Sequence, residues 1–132
     1  MTSAALRELG ERYGIELLLR FGSTVSGATH ARSDLDLGVV LRDPDIGFDR
    51  LAALQADLQE QFRALRVDLA VLNRADPLFL KKVLEHCELL LGDSSRLAEL
   101  RCLAFRRYVD HRRFLDMERD YVRRRLGVSK TG

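Results

Sequence analysis

The chain has no tryptophan, only two prolines and two cysteines, and no apolar run near the ~20 residues that cross a bilayer. Each shortage excludes a class of protein. Without such a run, no membrane span is expected. The first residues, MTSAALRELGERYG, are amphipathic and mixed in charge, unlike a signal peptide. Cys87 and Cys102 lack the spacing of a metal or redox motif, so they are expected to be small buried apolar residues in a reducing cytoplasm. Excess charge is also scarce. The formal net charge of +2 says little about partners, but its distribution says more: Arg96 to Lys130 holds eleven Lys or Arg against five Asp or Glu. The last third is basic and the remainder acidic on balance.

With 132 residues, 46% hydrophobic and 32% charged, the chain suits one domain with a true core. We expect a single domain over 1–132, its core reaching about residue 92. There is no internal repeat, low-complexity tract or linker. Leu6, Leu9 and Tyr13 sit at helical spacing, and Gly14 ends that helix. Ile15 to Phe21 reads as a strand, Gly22 to Ser33 as a Gly/Ser/Thr-rich loop, and Asp34 to Leu41 as a second strand broken by RDPD. Leu51, Leu54, Leu58 and Phe62 mark a helix from Phe48, and RVDLAVL from Arg66 to Leu72 a third strand. Pro77 suits the first turn of a helix to about His86, and Glu88 to Leu91 is a short strand closed by Gly92. From Ser94 to about Leu126 the pattern is helical, with Leu97, Leu100, Ala104, Tyr108, His111, Leu115, Tyr121 and Val122 as a stripe. At ~1.5 Å per residue that helix approaches 50 Å, so a kink or a protruding end is expected. The order predicts an α/β (α+β) domain: a small mixed sheet flanked by helices, with a long C-terminal helix.

The chemistry concentrates in FGSTVSGATHARSDLDLGVV. Residues two apart on a strand share a face, so Asp34 and Asp36 project together while Leu35 and Leu37 face the core. Two close carboxylates repel, and a divalent cation between them removes that cost. Mg²⁺ prefers oxygen and commonly sits on one or two carboxylates plus a substrate's phosphates. Asp68 is a charge inside an otherwise apolar strand. If that strand lies beside the second, three carboxylates meet, enough for two metal ions ~3.5–4 Å apart. Gly22 lets backbone approach a phosphate, and Ser23 adds a hydroxyl donor. No Gly-Lys-Ser/Thr follows, so this is not a P-loop, and no EF-hand loop continues from the Asp pair.

Gly22-Ser23, then Asp34-x-Asp36, then Asp68 on a later strand resembles the nucleotidyltransferase superfamily with the DNA polymerase β-type core. Gly27 and Ser33 also match its smaller bacterial version. Over nearly its full length the chain is similar to the minimal nucleotidyltransferase (MNT) antitoxins that pair with HEPN-domain toxins. The resemblance implies a Mg²⁺-dependent enzyme, with two ions, that transfers AMP from ATP to a tyrosine of a HEPN ribonuclease toxin and so silences it. It implies that Asp34, Asp36 and Asp68 are catalytic and metal-binding, and that Gly22, Ser23, Thr24 and Ser33 hold the nucleotide. Many relatives carry Arg soon after Gly-Ser, where this chain has Thr24-Val25, so a phosphate-pairing cation is sought in Arg32, Arg66 or His30. The basic last helix then reads as a solvated face or a surface for the toxin, with no direct contact to nucleic acid expected. Two rival readings are a transferase for a small molecule such as an aminoglycoside, and a non-catalytic antitoxin that acts by occlusion.

Overall fold

A computed structural model describes residues 3–22 and 34–127. Among the described residues, four helices and four strands follow in the predicted order: α1 (Ser3–Tyr13), β1 (Ile15–Phe21), β2 (Asp34–Leu41), α2 (Phe48–Gln61), β3 (Arg66–Val71), α3 (Pro77–Glu85), β4 (Cys87–Leu91) and α4 (Ser94–Leu126). Local chemistry sets the boundaries. The Asp76 carboxylate accepts from the backbone N–H groups of Leu78 and Phe79, so α3 starts on an acidic cap with Pro77 at its first turn. Asp93 does the same for α4 through Ser95.

The sheet runs β3-β2-β1-β4. β1 is antiparallel to both β2 and β4, whereas β2 and β3 are parallel. A parallel pair needs a crossover, which α2 supplies, so the sheet is mixed, as expected. Its two faces are covered differently. Leu18, Leu35, Leu37 and Val39 pack with Leu6 and Leu9 of α1 and Leu54 and Leu58 of α2. Leu17, Leu19 and Val40 pack with Leu80, Val83 and Leu84 of α3 and Leu97, Leu100 and Ala104 of α4. Each fully buried Leu contributes about 1.5–3 kcal/mol of transfer free energy, which makes these two layers the main source of stability.

Polar side chains finish the sheet where strands run out. The Asn73 side chain accepts from Leu41 N–H (2.9 Å) and donates to Leu41 C=O (2.7 Å), imitating a further residue of β3. On the outer edge of β3, Gln55 donates to Val67 C=O (2.8 Å). Gln59 donates to Leu65 C=O (2.7 Å) and accepts from Val67 N–H (3.0 Å).

Helix α4 has the protruding end its length predicts, and one other expectation needs correction. The α4 stripe is buried only at its start: Tyr108 and His111 are half-buried, and Leu115, Tyr121 and Val122 are exposed. An unbroken helix of 33 residues outruns strands of five to eight residues, so its last part extends past the sheet. Phe114, Met117 and Leu126 there are 61%, 71% and 70% exposed. Cys102 is exposed and Cys87 half-buried, contrary to the expectation that both are buried. Position 102 lies about half a turn from the buried Leu100 and Ala104, on the far side of α4.

Candidate active site

Parallel register sets Asp36 opposite Asp68 and Asp34 opposite Arg66. Across the other border of β2, Phe21 stands opposite Asp36. Residues directly opposed on neighbouring strands share a face, so one row across the sheet reads Phe21, Asp36, Asp68. Continuing along that face leads to Leu19, Gly38 and Ala70, in register with one another, and on to the layer covered by α3 and α4. The three predicted carboxylates thus occupy one end of one face, with Leu35 and Leu37 pointing the other way into the core.

Asp36 is half-buried, and its carboxyl titrates above the usual carboxylate range. Burial is the main cause, followed by the negative charges of Asp68 and Asp34. A cation among these oxygens would relieve that repulsion, and an all-carboxylate donor set is hard, which suits Mg²⁺. Among the described residues no three acidic, His or Cys side chains are already gathered into a metal cluster. Asp34 and Asp68 are exposed, so rotamer changes are open to both.

Gly22 completes the row. Its φ is +85°, in the left-handed region, and a Cβ there would overlap the Oδ2 of Asp36. Glycine is therefore required twice, for its backbone conformation and for the approach of the main chain to the carboxylate. Ser23, Thr24 and Ser33, expected to hold the nucleotide, lie outside the described residues, as do Gly27, His30 and Arg32. Arg66 is described. It is exposed and stands beside Asp34 on the carboxylate face.

Beside the carboxylates lies an open cleft of about 310 Å³ lined by Phe21, Asp36, Asp68, Leu69, Ala70 and Phe79. The rings of Phe21 and Phe79 meet edge to face, with centroids 6.0 Å apart and an interplanar angle of 84°. Phe79 is 41% exposed despite its size. Sequence reasoning did not select Phe21 or Phe79. In PLFL, Phe79 reads as an ordinary apolar helix residue, and only the folding of α3 over the end of β1 brings it beside the carboxylates.

The mixed sheet, the glycine packed on a carboxylate and the row of aspartates define a nucleotide-transferring class of domain. Residues 5–96 match the Polymerase beta, Nucleotidyltransferase family, and the chain belongs to that family. Among solved structures the fold is similar to a chain of a toxin–antitoxin complex with AMP-PNP, at 19% identity, TM-score 0.69, covering 97% of this chain and 100% of that one. It is also similar to a chain of the tri-AMPylated Shewanella oneidensis HEPN toxin in complex with MNT antitoxin, at 17% identity and TM-score 0.62, covering 96% of each. A chain of the MntA–HepT toxin–antitoxin has 17% identity and TM-score 0.62, with 96% of this chain and 97% of that one covered. No curated protein matches the sequence. Among the described residues, no helix is long and apolar enough to cross a membrane.

Proposed function

We propose that this chain is an MNT antitoxin of the cytoplasm that transfers AMP from ATP to a tyrosine hydroxyl of a partner HEPN ribonuclease toxin and thereby silences it. The observation that carries the reading is the row of Asp36 and Asp68 in register, with Gly22 packed against Asp36. The likeness in fold to MNT antitoxins of known complexes supports the choice of partner.

Asp34, Asp36 and Asp68 would hold Mg²⁺, two ions in all. When bound, the metal supplies positive charge for the triphosphate and makes a coordinated hydroxyl more acidic. The chain's own residues do the rest. Gly22 gives the triphosphate close access to backbone, and Ser23, Thr24 and Ser33 add hydroxyls to grip it. Arg66, beside Asp34, would pair with phosphate oxygens. The acceptor oxygen bonds to the α-phosphorus while the bond to the bridging oxygen breaks. Pyrophosphate leaves with that electron pair, and the hydroxyl proton passes to a carboxylate oxygen of Asp68. The core to about residue 92 carries this chemistry, and α4 carries the contact with the toxin.

The test is transfer of α-labelled ATP, with Mg²⁺, into a co-purified partner, wild type beside Asp34→Asn/Asp36→Asn. Label on the partner with wild type alone is the expected result. No label on any protein, with the double variant still binding and silencing the partner, would replace transfer by occlusion.

A further inference from the structure

We propose that the distal half of α4 is a docking arm: its exposed apolar face seats between two acid-rimmed helices of a partner protein and holds that partner against the carboxylate end of the sheet. The docking follows from the arm's direction, spacing and charge. What it achieves rests on the transfer reading above.

Direction comes first. α4 begins where β1 begins, since Gly92 comes close to Glu16 and Leu17, and Arg96 pairs with Glu16. Further along, Arg101 donates to Leu84 C=O (3.2 Å) and to the Cys87 sulfur (3.4 Å). Cys87 is in register with Phe21, and Phe21 with Asp36. The helix therefore advances toward the end of the sheet that carries the carboxylates. α3 is still beside it at Tyr108, where Lys81 Nζ lies 4.7 Å from the ring centre. From Tyr108 to Leu126 the helix runs about 27 Å further.

Spacing sets the face that the arm shows. Phe114-Leu115 and Tyr121-Val122 are apolar pairs seven residues apart, so each pair returns to nearly the same angle. Within a pair the members diverge by about 100°. Leu115, Val122 and Leu126 continue the side by which Leu97, Leu100 and Ala104 cover the sheet. Phe114, Met117 and Tyr121 form a second stripe beside it, and both stripes are exposed. A single helix packed on α4 covers one narrow seam. Two stripes this far apart call for two helices, with the arm lying in the groove between them.

Charge selects the partner's chemistry. From Arg112 to Leu126 the arm holds six arginines against three acidic residues. Asp116 is already engaged by Arg119 (2.7 Å). The guanidinium groups of Arg113, Arg123 and Arg124 have no partner among the described residues. A second copy is a poor match, because arm against arm sets arginine on arginine. Nucleic acid would answer the arginines but leave the two apolar stripes in water. Carboxylates along the rims of an apolar groove satisfy both features. A partner held this way lies next to Asp34, Asp36 and Asp68, the place to which an acceptor must come.

The test uses the full chain with its co-purified partner and needs no turnover. A photo-reactive phenylalanine analogue replaces Leu115, Tyr121, Phe79 or, on the opposite side of the helix, Asp116, one at a time. Cross-linked peptides are identified by mass spectrometry. Positions 115 and 121 should capture two different segments of one partner chain, each with apolar residues three and four apart and an excess of Asp and Glu. Position 79 should capture the same chain, and position 116 neither segment. Capture of another copy of this chain, of nucleic acid, or of one segment from both positions would overturn the proposal, as would equal capture from position 116. By native gel shift, Arg119→Glu/Arg123→Glu should weaken the complex about tenfold and Arg119→Gln/Arg123→Gln less, with urea midpoints near wild type. Equal affinity in all three proteins would also overturn it. Seven alanines inserted between Arg113 and Phe114 keep the stripes in phase but move them about 10 Å outward. The complex should persist while capture from position 79 is lost. Unchanged capture there would show that the arm does not set the partner's place. A wild type that docks as described yet transfers no label would count against the AMP-transfer reading and leave the docking arm standing.

Discussion

The two faces of the sheet use the same strands for opposite purposes. Towards α1 and α2 every inward position from Leu35 to Leu41 is apolar and closed, with Leu18, Leu37 and Val39 at 0% exposure. Towards α3 and α4 the face is apolar only over its inner part, and it ends in three carboxylates, a glycine and an open cleft. One face is built for stability alone. The other accepts crowded negative charge and empty space at one end, where a bound cation would relieve the repulsion. Alternation along β2 makes the division possible, because each step of one residue changes the face.

Substitutions should separate the two faces. The largest effect is expected at Asp36. Asp36→Asn should lower transfer by on the order of 10³-fold while raising the stability of the metal-free protein by about 0.5–2 kcal/mol, because it removes a half-buried charge repelled by Asp68 and Asp34. Labelled-ATP transfer and urea unfolding of the same samples would check both. A loss of stability would break the comparison. On the closed face, Leu18→Ala should cost about 2–5 kcal/mol in urea unfolding, the range for a buried leucine leaving a cavity. Between these stands Gly22→Ala, expected to cost about 1–2 kcal/mol for its left-handed backbone. Transfer should fall further than that stability loss accounts for, since the new methyl displaces the Asp36 carboxylate.

The pH dependence is smaller and has a definite sign. In the fold, the Asp36 carboxyl titrates above its ordinary value near 3.8. Its stabilising contribution is therefore complete below that ordinary value and is lost as pH rises through the raised one. Urea midpoints of the metal-free protein should show this fall, and both Mg²⁺ and Asp36→Asn should flatten it. The smallest effect on stability belongs to the end of α4. Phe114→Ser or Met117→Ser, at exposed positions, should change unfolding by less than ~0.5 kcal/mol. Native gel shift with the toxin should nevertheless show weakened complex formation.

Much of this was legible in the sequence because it rests on periodicity and on local anomaly. Asp34 and Asp36 were found from a spacing of two on a strand, and Asp68 from a charge where the pattern called for an apolar residue. The faces of Leu35 and Leu37 followed from the same rule. What stayed hidden depends on contacts between distant segments. Nothing in the order of residues places Phe79 against Phe21, since that requires knowing which face of the sheet α3 covers. How much of the α4 stripe is covered stayed hidden for a related reason. Helical spacing shows which residues share a side, but not how far a neighbouring layer extends beneath them. Leu97 and Leu115 fit the same stripe, yet only the first has the sheet and α3 below it.

The amides of Gln55 and Gln59 on the outer rim of β3 have a consequence for assembly. An unpaired strand edge is a template on which another chain can add a strand, whether as a recognised peptide or as the start of an aggregate. Here the main-chain groups of Leu65 and Val67 are already engaged by side chains from the same molecule. Strand addition at that rim would first have to displace three hydrogen bonds, so the protein is guarded there against self-templating. That protection belongs to the β3 rim; β4 forms the sheet's other edge.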